Sequence, residues 1–197
     1  MGEKLSRIEE KVISFLSLSL DKNAQQIQRG IDIEDKNYST VKKAIDRLEK
    51  KKFYVESKKG KSEKNVVIKF YKLSTRGVLV AFATNDEETL IKTLCLYKST
   101  SEIFLLLKQF ANCLKPSTAI KLLRMTGNLA FKYGGKVTKP EAILTAITLN
   151  AISGFGDWTQ EEIAELAEAA MKIDEMKGPL KDTFELGSKL FSKSPSS

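Results

Sequence analysis

Side chains that suit contacts with a nucleic acid are concentrated between Tyr38 and Gly77. Apolar residues at helical spacing predict a helix there that is capped near its start and ends at about Lys52. Hydroxyls and amides at a helix N-terminus can bond phosphates or base edges, and the positive end of the helix dipole attracts phosphate. The candidate groups at and along this helix are Asn37, Tyr38, Ser39, Thr40, Lys42, Lys43 and Arg47. An amphipathic helix with an ordinary solvated basic face is the alternative.

Two segments with the composition of β-strands follow this helix and enclose a lysine-rich tip. Phe53–Ser57 and Val66–Leu73 are rich in β-branched and aromatic residues, which favours strands. The flexible stretch between them carries Lys58, Lys59, Lys61 and Lys64. A hairpin tip with several lysines is suited to contact a phosphate backbone. A polar loop without such a role is the alternative.

The net positive charge of the chain lies in its first 84 residues. That part contains 19 Lys+Arg against 11 Asp+Glu, whereas residues 85 to 197 contain 14 of each. Such an asymmetry favours a polyanionic partner for the N-terminal part. A lysine-rich surface that serves solubility alone is the other interpretation.

The helix and the exit from the hairpin resemble parts of the winged helix-turn-helix domain of archaeal and bacterial transcription regulators. The segment from Ser39 to Lys51 is similar to the recognition helix of that family. The segment Tyr71-Lys72-Leu73-Ser74-Thr75-Arg76-Gly77 is similar to the exit from its wing, with Ser74 at the position where threonine is usual. The resemblance extends over about residues 4 to 84, or two-fifths of the chain.

The resemblance implies a fold class that is mainly α with a small β-wing. An N-terminal winged helix-turn-helix domain would span residues 1 to 84, and periodic patterns predict its two supporting helices from Lys4 to Ser19 and from Asp21 to Gly30. Tyr71 and Leu73 would be the core-facing set of the second strand, a choice that alternation alone leaves open. In such a domain the recognition helix enters the major groove of double-stranded DNA, and the wing lysines contact flanking phosphates.

Residues 85 to 192 are predicted to form an all-helical domain, followed by a flexible tail over residues 193 to 197. Capping residues and helix breakers predict where the helices start, and near Ser101 they leave open whether one bent helix or two are formed. The predicted helices begin near Asp86, Ser117, Thr138, Thr159 and Leu180. This part has no net charge and no catalytic motif. We expect it to form the interface of a homodimer, and an unidentified effector could bind within it.

Composition argues against several chemistries. The chain has no histidine, which removes the commonest general base and metal ligand, so we expect no enzyme activity, no metal and no cofactor.

Cys95 and Cys113 lie among apolar residues and are predicted to be buried thiols, since a disulfide would be unusual in a reducing cytosol. A solvated helix face is predicted for Glu161, Glu162, Glu165 and Glu168. No secretory signal and no apolar run of about 18 residues is visible, which predicts a soluble cytoplasmic protein without a membrane partner.

These features predict a sequence-specific transcription regulator that binds double-stranded DNA as a homodimer. Two-fold symmetric sites match two-fold symmetric proteins, and one winged helix rarely buries enough surface for tight specific binding. Two alternatives stay open. The winged helix could dock a protein within a transcription or replication assembly, or it could bind DNA without sequence preference in chromatin packaging or replication initiation.

Overall fold

One small antiparallel sheet is set among helices in the computed structural model, which describes residues 4–31, 37–62, 65–132 and 157–173. The elements in chain order are α1 (Arg7–Ser17), β1 (Lys22–Asn23), α2 (Ala24–Gly30), α3 (Tyr38–Lys50), β2 (Val55–Lys61), β3 (Val67–Leu73), α4 (Thr75–Thr84), α5 (Glu87–Tyr97), α6 (Glu102–Cys113), α7 (Pro116–Lys132) and α8 (Gln160–Lys172). The predicted fold class is confirmed: the chain is mainly helical, with a small sheet in its N-terminal part and helices beyond it.

Side-chain caps begin most of the described helices, because the first N–H groups of a helix have no partner within it. Asn37 caps α3, Ser74 caps α4, and Asp86 caps α5 at the predicted start of that helix. The cap of α2 is Asn23 and not Asp21. Asp21 lies two residues before this cap and has a φ of 53°.

The sheet has the strand order β1-β3-β2, and both outer strands are antiparallel to β3. Within the β2–β3 hairpin, Val55 lies opposite Leu73 and Lys61 lies opposite Val67. β2 therefore runs beyond the predicted strand and includes three lysines that the sequence assigned to a flexible tip. Tyr71 and Leu73 are buried, as the resemblance implied.

Helix α4 lies at the centre of the hydrophobic core. All of its residues from Gly77 to Phe82 are buried, and the helix packs against α1 and α7. The cluster of buried apolar residues extends from α1 to α8, so the two sides of the predicted domain boundary at residue 84 share one core. The division into two domains at that point stays a prediction.

Two glycines allow neighbouring backbone to approach very closely. A Cβ atom on Gly77 would lie 1.9 Å from the carbonyl oxygen of Tyr54, so the first turn of α4 lies directly against the start of the hairpin. A Cβ atom on Gly127 would lie 2.5 Å from the backbone nitrogen of Ala83, so α7 crosses α4 with backbone against backbone. Beside this crossing, Arg124 donates hydrogen bonds to three backbone carbonyl groups at the C-terminal end of α4.

The described C-terminal helices begin close to the predicted positions. α5 and α6 are two separate helices, which settles the alternative that the sequence left open near Ser101. Thr159 forms the predicted capping box with Glu162 at the start of α8. The helices predicted over residues 138–153 and 180–191 lie outside the described residues. None of the described helices is both long enough and apolar enough to cross a membrane.

One prediction for the C-terminal part is wrong, and another is incomplete. Cys95 and Cys113 are exposed free thiols, because each lies on the outer side of its helix while its apolar sequence neighbours lie on other sides. The acidic face of α8 is not simply solvated, since three of its four carboxylates accept hydrogen bonds from residues at the start of α7. These carboxylates belong to Glu161, Glu162 and Glu165. Their partners lie about forty or more positions away in sequence, where helical periodicity gives no information.

Replacing Gly127 by alanine should destabilise the protein, although alanine is the better helix former. At an exposed helical position the change would stabilise by about 1 kcal/mol. At Gly127 the new methyl group meets backbone atoms of α4, and overpacking of this kind costs about 1–3 kcal/mol. Urea unfolding followed by circular dichroism measures the difference. The exposed neighbour Asn128→Ala is the matched control and should change stability little. A G127A variant as stable as the wild type would contradict the close crossing.

Candidate nucleic-acid interface

Helix α3 exposes a stripe of polar residues opposite its buried side. The buried side consists of Val41, Ala44, Ile45 and Leu48. With 3.6 residues per turn, the opposite side consists of Ser39, Lys43, Asp46 and Lys50, called here the outward stripe. Among the residues predicted to contact DNA, Ser39 and Lys43 belong to this stripe. Lys42 and Arg47 lie on its two flanks, where each has partners within the protein.

Lys42 lies on the flank of α3 that faces the sheet. Its ammonium group forms a salt bridge with Asp46 and donates a hydrogen bond to the Tyr71 hydroxyl at 3.1 Å. It also lies 5.4 Å from the centre of the Tyr71 ring. Burial would lower the pKa of Lys42, but the hydrogen bonds to Asp46 and Tyr71 outweigh it and raise the pKa. Lys42 therefore ties α3 to β3, whatever it contacts outside the protein.

Arg47 lies on the opposite flank, against α1. Its Nε is 3.3 Å from Oε1 of Glu9, a carboxylate that is only 3% exposed. Lys52 Nζ lies 3.3 Å from Oε2 of Glu9, and the Ser6 N–H donates to the same oxygen at 2.8 Å. Burial would raise the pKa of Glu9, but the Ser6 N–H and the positive charge of Lys52 outweigh it and hold the pKa below its usual value. Glu9 therefore anchors α3 and the turn after it to α1.

Asn37 organises the N-terminus of α3. Its side-chain oxygen accepts hydrogen bonds from the Thr40 N–H at 2.8 Å, from the Ser39 hydroxyl at 2.9 Å and from the Thr40 hydroxyl at 2.6 Å. Tyr38, between them, is half exposed. The structure thus brings these four predicted residues together at one end of the helix. The two hydroxyl oxygens keep acceptor lone pairs for a partner.

One face of the β2–β3 hairpin adjoins α3 and carries lysines. Ser57 donates a hydrogen bond to Glu49 of α3. Because side chains alternate along a strand, Lys59 and Lys61 lie on the same face as Ser57. Lys59 is directly opposite Lys69 of β3, although Lys69 also lies 3.4 Å from the Glu49 carboxylate. Like charges opposite one another on a sheet are unfavourable. An anion bound to this face would reduce the repulsion between the two ammonium groups.

The other two predicted hairpin lysines are placed differently. Lys58 lies on the opposite face of β2, where its Nζ is 2.7 Å from the Asp21 carboxylate. Both partners are well exposed, so this ion pair is weak and can open. Lys64 lies outside the described residues.

A groove of about 510 Å³ separates the start of α3 from the hairpin. Its polar lining comes from Asn23 and Gln25 near the start of α2, from Tyr38 and Lys42, and from Ser62 and Lys69 of the hairpin. Amides, hydroxyls and ammonium groups are the side chains that most often bond phosphate and sugar oxygens. The groove therefore continues the polar surface of α3 onto the hairpin.

Two exposed lysines of this surface were not among the predicted contacts. Lys50 completes the outward stripe at the end of α3, and its spacing from Lys43 would have identified it. Lys69 can be identified as part of this surface only when its position opposite Lys59 is known. Alternation along β3 did not decide which face that residue occupies.

Comparisons with protein-family models, with curated proteins and with solved structures give no match. The N-terminal helices and the three-stranded antiparallel sheet are consistent with a winged helix-turn-helix. In the part of the chain that the structure describes, no group of three or more cysteine or carboxylate side chains is arranged to hold a metal ion.

Glu9→Gln should destabilise the protein at neutral pH by about 2 kcal/mol, because a neutral amide loses the charge-assisted interactions with Arg47 and Lys52. The folded-state pKa of Glu9 is lowered, so its stabilising contribution is present above its ordinary pKa of 4.5 and is lost as pH falls through the folded-state value. The difference in unfolding free energy between wild type and E9Q should therefore shrink below pH 4.5. Urea unfolding at a series of pH values measures it.

Glu10→Gln is the matched control for this prediction, since Glu10 is the exposed neighbour of Glu9 on α1. It should change stability by less than about 0.5 kcal/mol at any pH. A cost of E9Q that did not depend on pH would show that the charge of Glu9 is not what joins α1 to α3.

Proposed function

We propose that this chain binds double-stranded DNA as a winged helix-turn-helix protein, with α3 in the major groove and the β2–β3 hairpin on flanking phosphates. One observation carries the proposal: adjoining surfaces of α3 and the hairpin expose Lys43, Lys50, Lys59 and Lys61. None of these four forms an ion pair with another described residue. A polyanion would satisfy several of them at once and would release its counterions on binding.

The dimensions of α3 support the same partner. Its 13 residues correspond to a rod of about 20 Å. A helix with its side chains is about 10–12 Å wide, which matches the major groove of B-form DNA at about 12 Å. With the buried side of α3 turned to the core, the outward stripe would face the base edges. The two flanks would then face the groove walls.

The contacts on the two flanks suggest how the side chains divide the work. We assign base-edge contacts to Ser39 and Lys43, at the N-terminal end of the outward stripe. Phosphate contacts are assigned to Lys50, Lys59 and Lys61. Lys42 and Arg47 brace α3 against β3 and α1, so their first role is to set the angle at which the helix enters the groove.

We further propose that the protein is a homodimeric regulator of transcription, joined through its C-terminal helices. Leu105 of α6 and Met171 of α8 are 52% and 55% exposed, and α6 packs against α8. Apolar side chains left exposed on two helices that pack together are candidates for the apolar core of such an interface. Two joined chains would present two α3 helices to one two-fold symmetric site. Light scattering that gives the mass of a single chain at DNA-binding concentrations would exclude this arrangement.

Lys59→Ala combined with Lys61→Ala should weaken binding to all DNA sequences alike, because phosphates carry no sequence information. If a dimer neutralises about 6–8 phosphates, log affinity should fall with log salt at a slope of about −5 to −7. Losing two lysines per chain should make that slope shallower by about 3 to 4 for a dimer. Fluorescence anisotropy of labelled duplexes at several salt concentrations measures both quantities.

A matched control removes the same charge elsewhere. Lys98→Ala with Lys172→Ala changes two exposed lysines of the C-terminal helices and should leave the slope unchanged. Equal effects of the two pairs would mean that net charge attracts DNA without a defined surface. A wild-type slope near zero would remove the electrostatic basis of the proposal.

Lys43→Ala should reduce discrimination between DNA sequences more than it reduces binding to random DNA. A good base contact contributes about 1–3 kcal/mol of discrimination, or roughly 5- to 150-fold. Selection of bound duplexes from a random pool defines the preferred sequence, and competition assays then measure its advantage in each variant. Lys50→Ala is the control, and it should lower affinity without changing the preferred sequence.

The random pool also separates the alternatives. Enrichment of one sequence by the wild type supports a specific regulator. Tight binding without enrichment would favour a general DNA-binding protein, and the absence of binding would favour a protein-docking module.

A further inference from the structure

The phenol of Tyr97 joins three elements at the base of the hairpin. Tyr97 is the last residue of α5 and is completely buried. Its hydroxyl donates to the carbonyl oxygen of Leu16 in α1 at 2.9 Å and accepts the N–H of Leu73 in β3 at 3.1 Å. Burial raises the pKa of Tyr97 to about 12, so the hydroxyl keeps its proton near neutral pH.

The hydroxyl occupies a position that a strand would otherwise fill. In the register of β1 with β3, the residue opposite Leu73 would be Leu20. β1 does not extend that far, because Asp21 turns the chain with a φ of 53°. The last N–H of β3 is therefore satisfied by Tyr97, a side chain from the helices beyond residue 84.

We propose that Tyr97 is a positioning residue for DNA binding, whose hydroxyl fixes the base of the β2–β3 hairpin and thereby the direction of its lysines. This inference rests on the proposed function. Leu73 lies opposite Val55, the first residue of β2. The hydrogen bond between Leu73 and Tyr97 therefore acts at the base of the hairpin, where β2 begins and β3 ends.

The hairpin amplifies small changes at its base. Six residue steps separate Leu73 from Val67, which is about 20 Å of extended strand. A rotation of roughly 10° at the base therefore moves the tip by roughly 3.5 Å, using that length. A displacement of this size exceeds the range over which an ammonium group keeps a hydrogen bond to a phosphate oxygen.

The first test is hydrogen exchange in the free, full-length protein. Tyr97→Phe keeps the buried ring and removes only the hydroxyl. Amide exchange over residues 67–73 should become about tenfold faster, because the N–H of Leu73 loses its partner, while exchange in α3 should be unchanged. Thr93→Val is the matched control, since the buried Thr93 hydroxyl bonds within α5, to the carbonyl oxygen of Thr89 at 2.7 Å. It should leave exchange in β3 unchanged.

The second test is DNA binding in two backgrounds. Y97F should weaken binding to duplex DNA by roughly three- to tenfold, with a shallower salt dependence and the same preferred sequence. In the K59A/K61A background Y97F should have no further effect, because the lysines through which it acts are absent. Equal losses in both backgrounds, or an equal loss in T93V, would show that Tyr97 only stabilises the fold and would overturn the inference.

The two proposals fail in different ways. A wild-type protein that does not bind DNA overturns both of them. DNA binding by the wild type, together with unchanged hydrogen exchange and affinity in Y97F, overturns the positioning role alone.

Discussion

The burial of α4 on all sides is the constraint on which the rest of the structure depends. A helix that is apolar around its whole circumference must be covered on every side, and α1, β3, α5 and α7 contribute to the cover of α4. Gly127 allows α7 to approach α4 as backbone against backbone, and Gly77 allows the same approach for Tyr54, the residue before β2. The hairpin ends at Leu73, one residue before the cap of α4, so its base is set by the same packing.

Buried and half-buried carboxylates decide which positive charges are left for a partner. Glu9 and Asp46 hold the basic side chains Arg47 and Lys42 on the two flanks of α3, and Glu49 holds Lys69 of β3. Arg47 therefore faces α1, and Lys42 faces the sheet. The lysines without such partners lie on the outward stripe and on the adjoining face of the hairpin. The positive surface is therefore a product of this arrangement as well as of composition, because the same lysines placed beside these carboxylates would be neutralised.

Local signals in the sequence located the described helices, but they did not give the full length of β2 or the partners of the charged residues. Asn37 and Ser74 cap their helices through groups two or three residues away, which a sequence shows directly. Lys42 and Arg47 looked equivalent to Lys43 because all three are polar positions of one amphipathic helix. Their difference comes from Tyr71 and Glu9, which lie far away in sequence and reach α3 only in the folded chain. The length of β2 was underestimated for a related reason: lysines and a glycine have low strand propensity, and pairing with β3 overrides it.

Under the proposed function, an event at the C-terminal helices can change DNA binding only if it favours one position of the hairpin over another. Two of the connections between the C-terminal helices and the N-terminal part differ in stiffness. The crossing of α7 on α4 brings backbone atoms together, so movement there would disturb the core. The link from α5 to β3 is one hydrogen bond, donated by the Leu73 N–H to the Tyr97 hydroxyl, with a net contribution of about 0.5–1.5 kcal/mol. A ligand or second chain that displaced α5 slightly would therefore alter the hairpin at low cost. The coupling that one such bond can transmit corresponds to a change in affinity of about 2- to 13-fold, which limits how strongly this connection alone could regulate the proposed DNA binding.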